Sequence, residues 1–388
     1  MDFAADPELE SIAGEAAKLA AGFDDDYWLD HDERRAFPWD FYRAFAERGW
    51  VGIVIPEEYG GAGLGVLHAG TLLGAIANSG GAMNAASAMH ISIFGMGPVI
   101  RHGSEAMKRK YLPPTARGDL HTSFGVTEDD AGTDTSRIRT AARHDGERWI
   151  VNGKKVWNTK AQQCQKILLL VRTTPREECA RRLDGMTLFL ADLDPDHCEI
   201  REIPKLGRNA VNSNEVFIRD LPVLEEDVVG EVGRGFYHLL DGLNPERIMI
   251  AAEAVGIGLR AVGKAVDYAR ERVVFERPIG QNQAIAHPLA DSYTELQAAE
   301  LLWQKAAWSY DRGESAGALA NMAKLRCADA AFRACDRALQ TFGGFGYARE
   351  FHVERYWREA RLLRLAPISQ EMVLNFVAEH VLELPRSY

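Results

Sequence analysis

A chain of 388 residues, 46% of them hydrophobic, carries enough apolar surface to close two or three domains around substantial cores. Its formal net charge of −11, with no tract of lysine and arginine, sets nucleic acid aside as a partner. No apolar run reaches the roughly 18 residues that a membrane-spanning helix needs, so no membrane association is expected.

The opening residues, MDFAADPELE, lack a basic segment ahead of an apolar one, so no signal peptide is expected. Cys164, Cys179, Cys198, Cys327 and Cys335 form no CxxC pair and read as buried free thiols of a cytoplasmic protein. Residues 1–121 read as a helical domain. Apolar residues recur about every 3.6 positions over 7–23 and 40–49. A turn-rich piece follows at 56–63, and a further helix is expected to stop at Pro113-Pro114.

Residues 122–232 change character. Trp149-Ile150-Val151 and Lys155-Val156-Trp157 flank Asn152-Gly153, a pair that predicts a hairpin with a type I′ turn. Further strands are expected at 166–172, 186–193 and 214–218. Strands without intervening helices predict a β-barrel or sandwich and not a Rossmann sheet. Residues 233–388 are helical again: Val255, Leu259, Val262, Val266 and Val273 fall at helical spacing, as do the apolar residues of 291–312 and 318–342. Gly313 and Gly343-Gly344 mark helix ends, and long helices on short turns predict a four-helix bundle.

Common cofactor motifs are missing. No GxGxxG follows a strand, no GxxxxGK[ST] or HExxH occurs, and the 11 histidines make no metal-spaced cluster. Two runs remain. The first, Gly125-Val126-Thr127-Glu128-Asp129-Asp130-Ala131-Gly132-Thr133-Asp134, can present backbone N–H groups and hydroxyls to a polar ring or phosphate, or can be a solvated Asx turn. The second, Gln340-Thr341-Phe342-Gly343-Gly344-Phe345-Gly346-Tyr347, is followed by Glu350, Arg355 and Glu359. Its glycines permit close approach of a cofactor or another chain, or serve as a helix C-cap.

Together these runs resemble the two signature sequences of the acyl-CoA dehydrogenase family, the first departing from the pattern only at Arg137. The resemblance extends through 56–63, 108–113, 152–159, 272–283 and 356–370. It implies a helical N-terminal domain, a β-barrel middle domain and a C-terminal four-helix bundle, assembled as a homotetramer with FAD between barrel and bundle. It places Phe124, Val126 and Thr127 along the flavin, Trp157 and Thr159 on its other side, and Gly132 and Thr133 at the adjoining turn, where Thr133 meets CoA or a flavin phosphate. Trp157 also suits barrel core. Asn158 and Lys160 depart from the family's pattern and imply a more polar flavin edge. Arg272 and Phe275, with Gln283, Gln340, Gly343 and Gly344, match the group that reaches FAD of a neighbouring subunit, where arginine's planar fork suits a pyrophosphate. Ser369 and Gln370 match further cofactor contacts.

The resemblance also implies a carboxylate that removes the α-proton. Its usual position here falls on Ala366 or Pro367, and neither accepts a proton. A minority of the family, resembling isovaleryl- and long-chain acyl-CoA dehydrogenases, carries the glutamate in a Leu-x-x-Glu-Arg run. Leu243-Asn244-Pro245-Glu246-Arg247 matches it, making Glu246 the expected base, with Asn244 and Arg247 against the thioester or CoA. Pro245 fits the first turn of a helix capped by Asn244, or a kink in a longer one. The other reading pairs Glu246 with a neighbouring arginine, and Glu371 is the competing carboxylate. An Ala366 N–H is a candidate donor to the thioester oxygen. The implied reaction is FAD-dependent α,β-dehydrogenation of an acyl-CoA, with electrons leaving to an electron-transferring flavoprotein. An oxygen-using oxidase or monooxygenase of the same fold, or an FAD-stabilised binding protein, are the alternatives. A helix-borne base leaves room for a branched or bulky acyl group.

Overall fold

The computed structural model describes residues 6–386. Helices α1 (Pro7–Ala20), α2 (Asp25–Arg34), α3 (Trp39–Ala46), α4 (Val66–Ala77), α5 (Ala82–Phe94), α6 (Gly97–His102) and α7 (Glu105–Ala116) form the first third. Side chains of Asp6, Asp24 and Ser104 accept backbone N–H bonds and start α1, α2 and α7. Contrary to the expected stop, α7 runs through Pro113 and Pro114. A proline cannot donate, but its carbonyl still accepts, and the N–H groups of Arg117 and Asp119 bond to those two carbonyls. The chain leaves at Gly118, whose φ of +78° a side chain would resist. Every residue of α5 is buried, so this alanine- and serine-rich helix is the central rod of the molecule.

Strands β1 (Thr122–Gly125), β2 (Ala141–His144), β3 (Trp149–Thr159), β4 (Lys166–Arg172), β5 (Met186–Asp192), β6 (Cys198–Glu202) and β7 (Ser213–Val223) build one curled sheet in the order β1-β4-β2-β3-β7-β6, with β5 on β4. The expected hairpin at Asn152-Gly153 is absent; β3 is one strand with a bulge there. The Asn152 amide is engaged across the sheet instead, donating to the Asp220 carboxylate at 3.0 Å and accepting the Asp220 N–H at 2.9 Å. Gly153, at φ +153°, packs so close to Thr140 that a Cβ would lie 2.5 Å from its hydroxyl.

The last third holds α8 (Gly235–Glu271), a hairpin of β8 (Val273–Val274) and β9 (Arg277–Pro278), α9 (Gln283–Asp311), α10 (Gly317–Phe342), α11 (Val353–Leu363) and α12 (Gln370–His380). Val273, expected on a helix face, lies past the end of α8 and is exposed. Helices α8, α9 and α10 pack on one another, α8 and α9 also pack on α4, and one apolar core is shared by the first and last thirds. Cys198, Cys327 and Cys335 are buried, whereas Cys164 and Cys179 are half-buried because they lie in connecting loops. Among the described residues, no helix is long and apolar enough to cross a membrane.

Lys160 does not polarise an exposed edge. The left-handed backbone at the end of β3 (φ +60°) turns it into the helical core, where its ammonium donates to the Ser92 hydroxyl at 2.8 Å and lies 4.9 Å from the Tyr42 ring centre. It has no carboxylate partner among the described residues, and burial pushes its pKa down to about 8. Between that value and lysine's ordinary 10.5 the unfolded chain holds more protons, so this residue's contribution to stability rises with pH. Lys160→Met is expected to stabilise the protein at pH 7 by on the order of 1–3 kcal/mol. Urea unfolding at pH 7 and pH 9.5 checks this, and the gap from the wild type should narrow at the higher pH.

Candidate active site

The segment between β1 and β2 lies against the end of β3 and is tied down by one carboxylate. Glu128 accepts the backbone N–H groups of Arg139 at 2.6 Å and Thr140 at 3.0 Å, and pairs with Lys155 at 2.8 Å. Burial works against the Glu128 carboxylate, but Lys155 and these N–H bonds outweigh it and hold the pKa below the usual range. Lys155 is fully buried, and its pKa is pushed down to about 8. The Asx-turn reading of this run therefore applies to Asp134, which bonds the N–H and hydroxyl of Ser136, and not to Glu128.

Beyond Lys155 the pairing of β3 with β7 slips, and Trp157 takes a left-handed φ of +63°. The indole is thrown outward, 56% exposed between the buried Val156 and Asn158, so Trp157 is not barrel core. Asn158 turns inward, donating to the Phe124 carbonyl at 3.0 Å, so it does not polarise the exposed edge. Val156 donates to the Thr127 carbonyl at 2.9 Å, which sets the two runs side by side. Phe124, Val126, Thr127 and Thr159 are half-buried along this edge, while Gly132 and Thr133 are exposed beyond it. An outward indole beside half-buried strand ends fits a planar aromatic cofactor.

A second surface lies at the far end of α8. Arg272 caps the helix, its guanidinium 5.7 Å from the Phe345 ring in the glycine turn, and Tyr268 stacks on Phe342 at 4.2 Å. Phe275, at the tip of the β8–β9 hairpin, is 94% exposed, and none of the described residues covers it. Gln283, Gln340, Gly343 and Gly344 are exposed as well, and a Cβ at either glycine would meet no atom within 4 Å. Arg272 and the glycine turn are thus brought together, facing away from their own chain.

The turn after α11 offers less than expected. Ala366 donates its N–H to the Leu362 carbonyl at 3.0 Å, and Pro367 has none to give. Ser369 caps α12, and the Gln370 amide is engaged by Arg364 and Asp329. Glu371 is exposed, its pKa lowered by hydrogen bonds at the start of α12.

Glu246 lies inside α8, and Pro245 is an interior residue of that helix, so Asn244 is not a cap and no helix N-terminus acts on the carboxyl. Arg247 bonds to the Asn244 side chain at 3.1 Å, and among the described residues Glu246 has no hydrogen bond or close ion pair, so Arg247 acts on it only through space. Desolvation raises the Glu246 pKa against the pull of His90 and Arg247. A desolvated, unpartnered carboxylate is suited to taking a proton.

Sequence reading missed three neighbours. His90 on α5 holds Glu253 on α8 at 2.6 Å, both buried, and Arg208 between β6 and β7 acts on the pair. The available signal was a lone ionisable residue within each apolar run, MHISIF and AAEAVGIG. A cavity of about 1550 Å³ between α1, α4, α8 and α9 is lined by neither Glu246 nor Trp157.

Glu128→Gln would leave Lys155 as an uncompensated buried cation, an expected loss of about 3–5 kcal/mol. Glu128→Gln combined with Lys155→Met should recover most of it, as denaturant midpoints will report.

Models of the acyl-CoA dehydrogenase N-terminal, middle and C-terminal domains match residues 6–119, 123–221 and 233–382. The chain is 38% identical to the acyl-CoA dehydrogenase fadE12 of Mycobacterium bovis, over 98% of its own length and 97% of the relative's. It is 32% identical to a 3-(aryl)acrylate reductase of Clostridium sporogenes, over 98% and 96%. Among solved structures it superposes on the butyryl-CoA dehydrogenase of Megasphaera elsdenii with a TM-score of 0.93 at 27% identity, covering 98% of this chain and all of that one. With three domain models in order and relatives matched end to end, the chain belongs to the acyl-CoA dehydrogenase family, FAD-dependent oxidoreductases acting on acyl-CoA.

Proposed function

We propose that the chain dehydrogenates an acyl-CoA across Cα–Cβ to a trans-2-enoyl-CoA, with Glu246 as the base that takes the α-proton. The observation that carries this is the half-buried carboxylate of Glu246, which has no hydrogen-bond partner among the described residues, in a chain whose 363–369 turn contains no acid. Phe124, Val126, Thr127, Trp157 and Thr159 would hold the flavin ring of FAD. Arg272, Phe275, Gln283, Gln340, Gly343 and Gly344 would reach FAD in a neighbouring subunit of a homotetramer, in keeping with an uncovered Phe275. Bound FAD would supply the hydride acceptor.

The remaining chemistry belongs to the side chains. Burial disfavours charge on Glu246, so proton capture relieves that cost as the α-carbon loses its proton. Asn244 orients Arg247, whose guanidinium would meet the thioester or CoA, and Thr133 would contact CoA from the exposed turn. Ala366 has its N–H engaged, so a donor there would require that bond to Leu362 to open. Electrons would leave to an electron-transferring flavoprotein, and the enzyme would work in the cytoplasm.

The test is anaerobic flavin reduction by a panel of straight and branched acyl-CoA thioesters. Glu246→Gln keeps volume and helix but removes the acceptor, so reduction should slow by about 10²–10⁴-fold with FAD still bound. Glu371→Gln should leave the rate unchanged. A wild-type rate in the first variant and a slow one in the second would move the base to Glu371.

A further inference from the structure

A cavity of about 810 Å³ opens on the middle domain, where β2, the start of the β4–β5 connection and the Trp149 end of β3 meet. Trp149 and Trp157 are eight residues apart on one strand, which sets the cavity about 25 Å from the edge that carries Trp157. Five arginines line it, in a chain whose net charge is −11. Buried and exposed residues alternate over 136–143, so Arg137, Arg139 and Arg143 stand outward while Ile138, Thr140 and Ala142 turn inward. Arg172 comes from the end of β4, paired with Ala141 of β2, and Arg176 from the turn after Pro175. Arg172 is only 6% exposed. Its guanidinium donates to the carbonyls of Ser136, Asp184 and Arg182 at 2.6, 2.7 and 3.0 Å, and its Nε is sealed without a partner. Arg172 thus ties the walls of the cavity together, and no carboxylate neutralises it. Arg139 pairs with Asp130 at 3.4 Å, but Arg137, Arg143, Arg172 and Arg176 have no ion pair among the described residues. Glu177 is the one acid among the residues that line the cavity.

We propose that this arginine cavity is a binding site for the phosphate groups of a phosphorylated ligand. Like charges gathered at one opening repel one another, and an anion that joins them turns that repulsion into attraction. A guanidinium presents a planar fork that meets two phosphate oxygens at once. A carboxylate brings one charge and two oxygens, too few for four unpaired guanidiniums, whereas a diphosphate brings enough for each. The volume exceeds that of a single phosphate and leaves room for part of the group it is attached to. Two sources carry this chemistry. One is the phosphorylated end of CoA, since Arg137 follows Thr133, placed against CoA above, by four residues. In that case the site deepens the acyl-CoA reading and rests on it. The other is a free nucleotide diphosphate, and the site then stands independently of the dehydrogenation.

The experiment titrates the FAD-loaded protein with inorganic pyrophosphate in a calorimeter, at low and at physiological ionic strength. Saturable binding that weakens with salt is expected. Arg143→Gln combined with Arg176→Gln removes two charged donors and leaves the buried Arg172 in place, so binding should weaken by about tenfold or more. Glu177→Gln removes the opposing charge and should tighten binding by about twofold, a gain that loosened packing cannot produce. Should the double variant fail to fold, that gain decides. Steady-state KM values then identify the source. With CoA as the ligand, the double variant raises the KM of an acyl-CoA at unchanged kcat and leaves an acyl-pantetheine thioester, which has no phosphate, as it was. With a free diphosphate as the ligand, both KM values stay at the wild-type level while pyrophosphate binding still falls. Pyrophosphate that does not bind the wild type, or binds wild type and variants alike, would overturn the site. The titration requires no turnover, so a protein whose flavin no thioester reduces would overturn the acyl-CoA reading and leave this site standing.

Discussion

A carboxylate surrounded by donors it cannot leave is a stronger constraint than any apolar contact, and Glu128 is that constraint in the middle of this chain. It satisfies two backbone N–H groups of the segment leading to β2 and neutralises Lys155, buried on β3. Glu128 cannot leave without stranding a cation, and Lys155 cannot leave without stranding an anion. With both fixed, β3 has its register set just before the slip that throws Trp157 outward. The edge that carries Trp157 is therefore held from beneath by charge, and its aromatic surface is left open.

A second electrostatic anchor sets the depth of α5. Arg355 donates to the carbonyls of Gly80 and Gly81, and Glu359 accepts the Met83 N–H at 2.8 Å while pairing with Arg355 at 3.1 Å. Burial drives the Glu359 pKa up to about 7 in spite of Arg355. These are charged residues of the second signature run, and their work lies at the N-terminus of the helix that carries His90. Gly343 and Gly344 of the same run face outward some ten residues earlier. One short stretch of sequence thus serves the interior and the surface at once.

Much of this architecture was legible because helices and strands announce themselves through period. The order helical, β, helical, the long helices, and β4 and β5 follow from apolar spacing alone. The misreadings share a cause: local signals yielded to partners far away in sequence. Asn152-Gly153 has turn chemistry, but Asp220 takes up the asparagine amide and Thr140 presses on the glycine, so a bulge forms. Lys160 was placed at an exposed edge because it follows Trp157 and Thr159, and a left-handed backbone sent it the other way. Glu246 is singled out by a five-residue resemblance, whereas His90 and Glu253, 163 positions apart, each stand in sequence only as a lone ionisable residue in an apolar run, with nothing local to pair them.

The length of α8 has a mechanical side. Glu246, inside α8, and Arg272, at its far end, are joined by one uninterrupted stretch of helix, about 39 Å at 1.5 Å per residue. A tilt of about one degree about one end displaces the other by about 0.7 Å, enough to disturb a proton transfer that depends on hydrogen-bond reach. The rod is gripped along its middle by α4, α9 and α10, and at its far end the chain after the β8–β9 hairpin folds back on it, Ile279 donating to the Arg272 carbonyl at 2.9 Å while Phe275 stays bare. Whatever seats on the bare tip of that hairpin therefore bears on the same rod that carries Glu246.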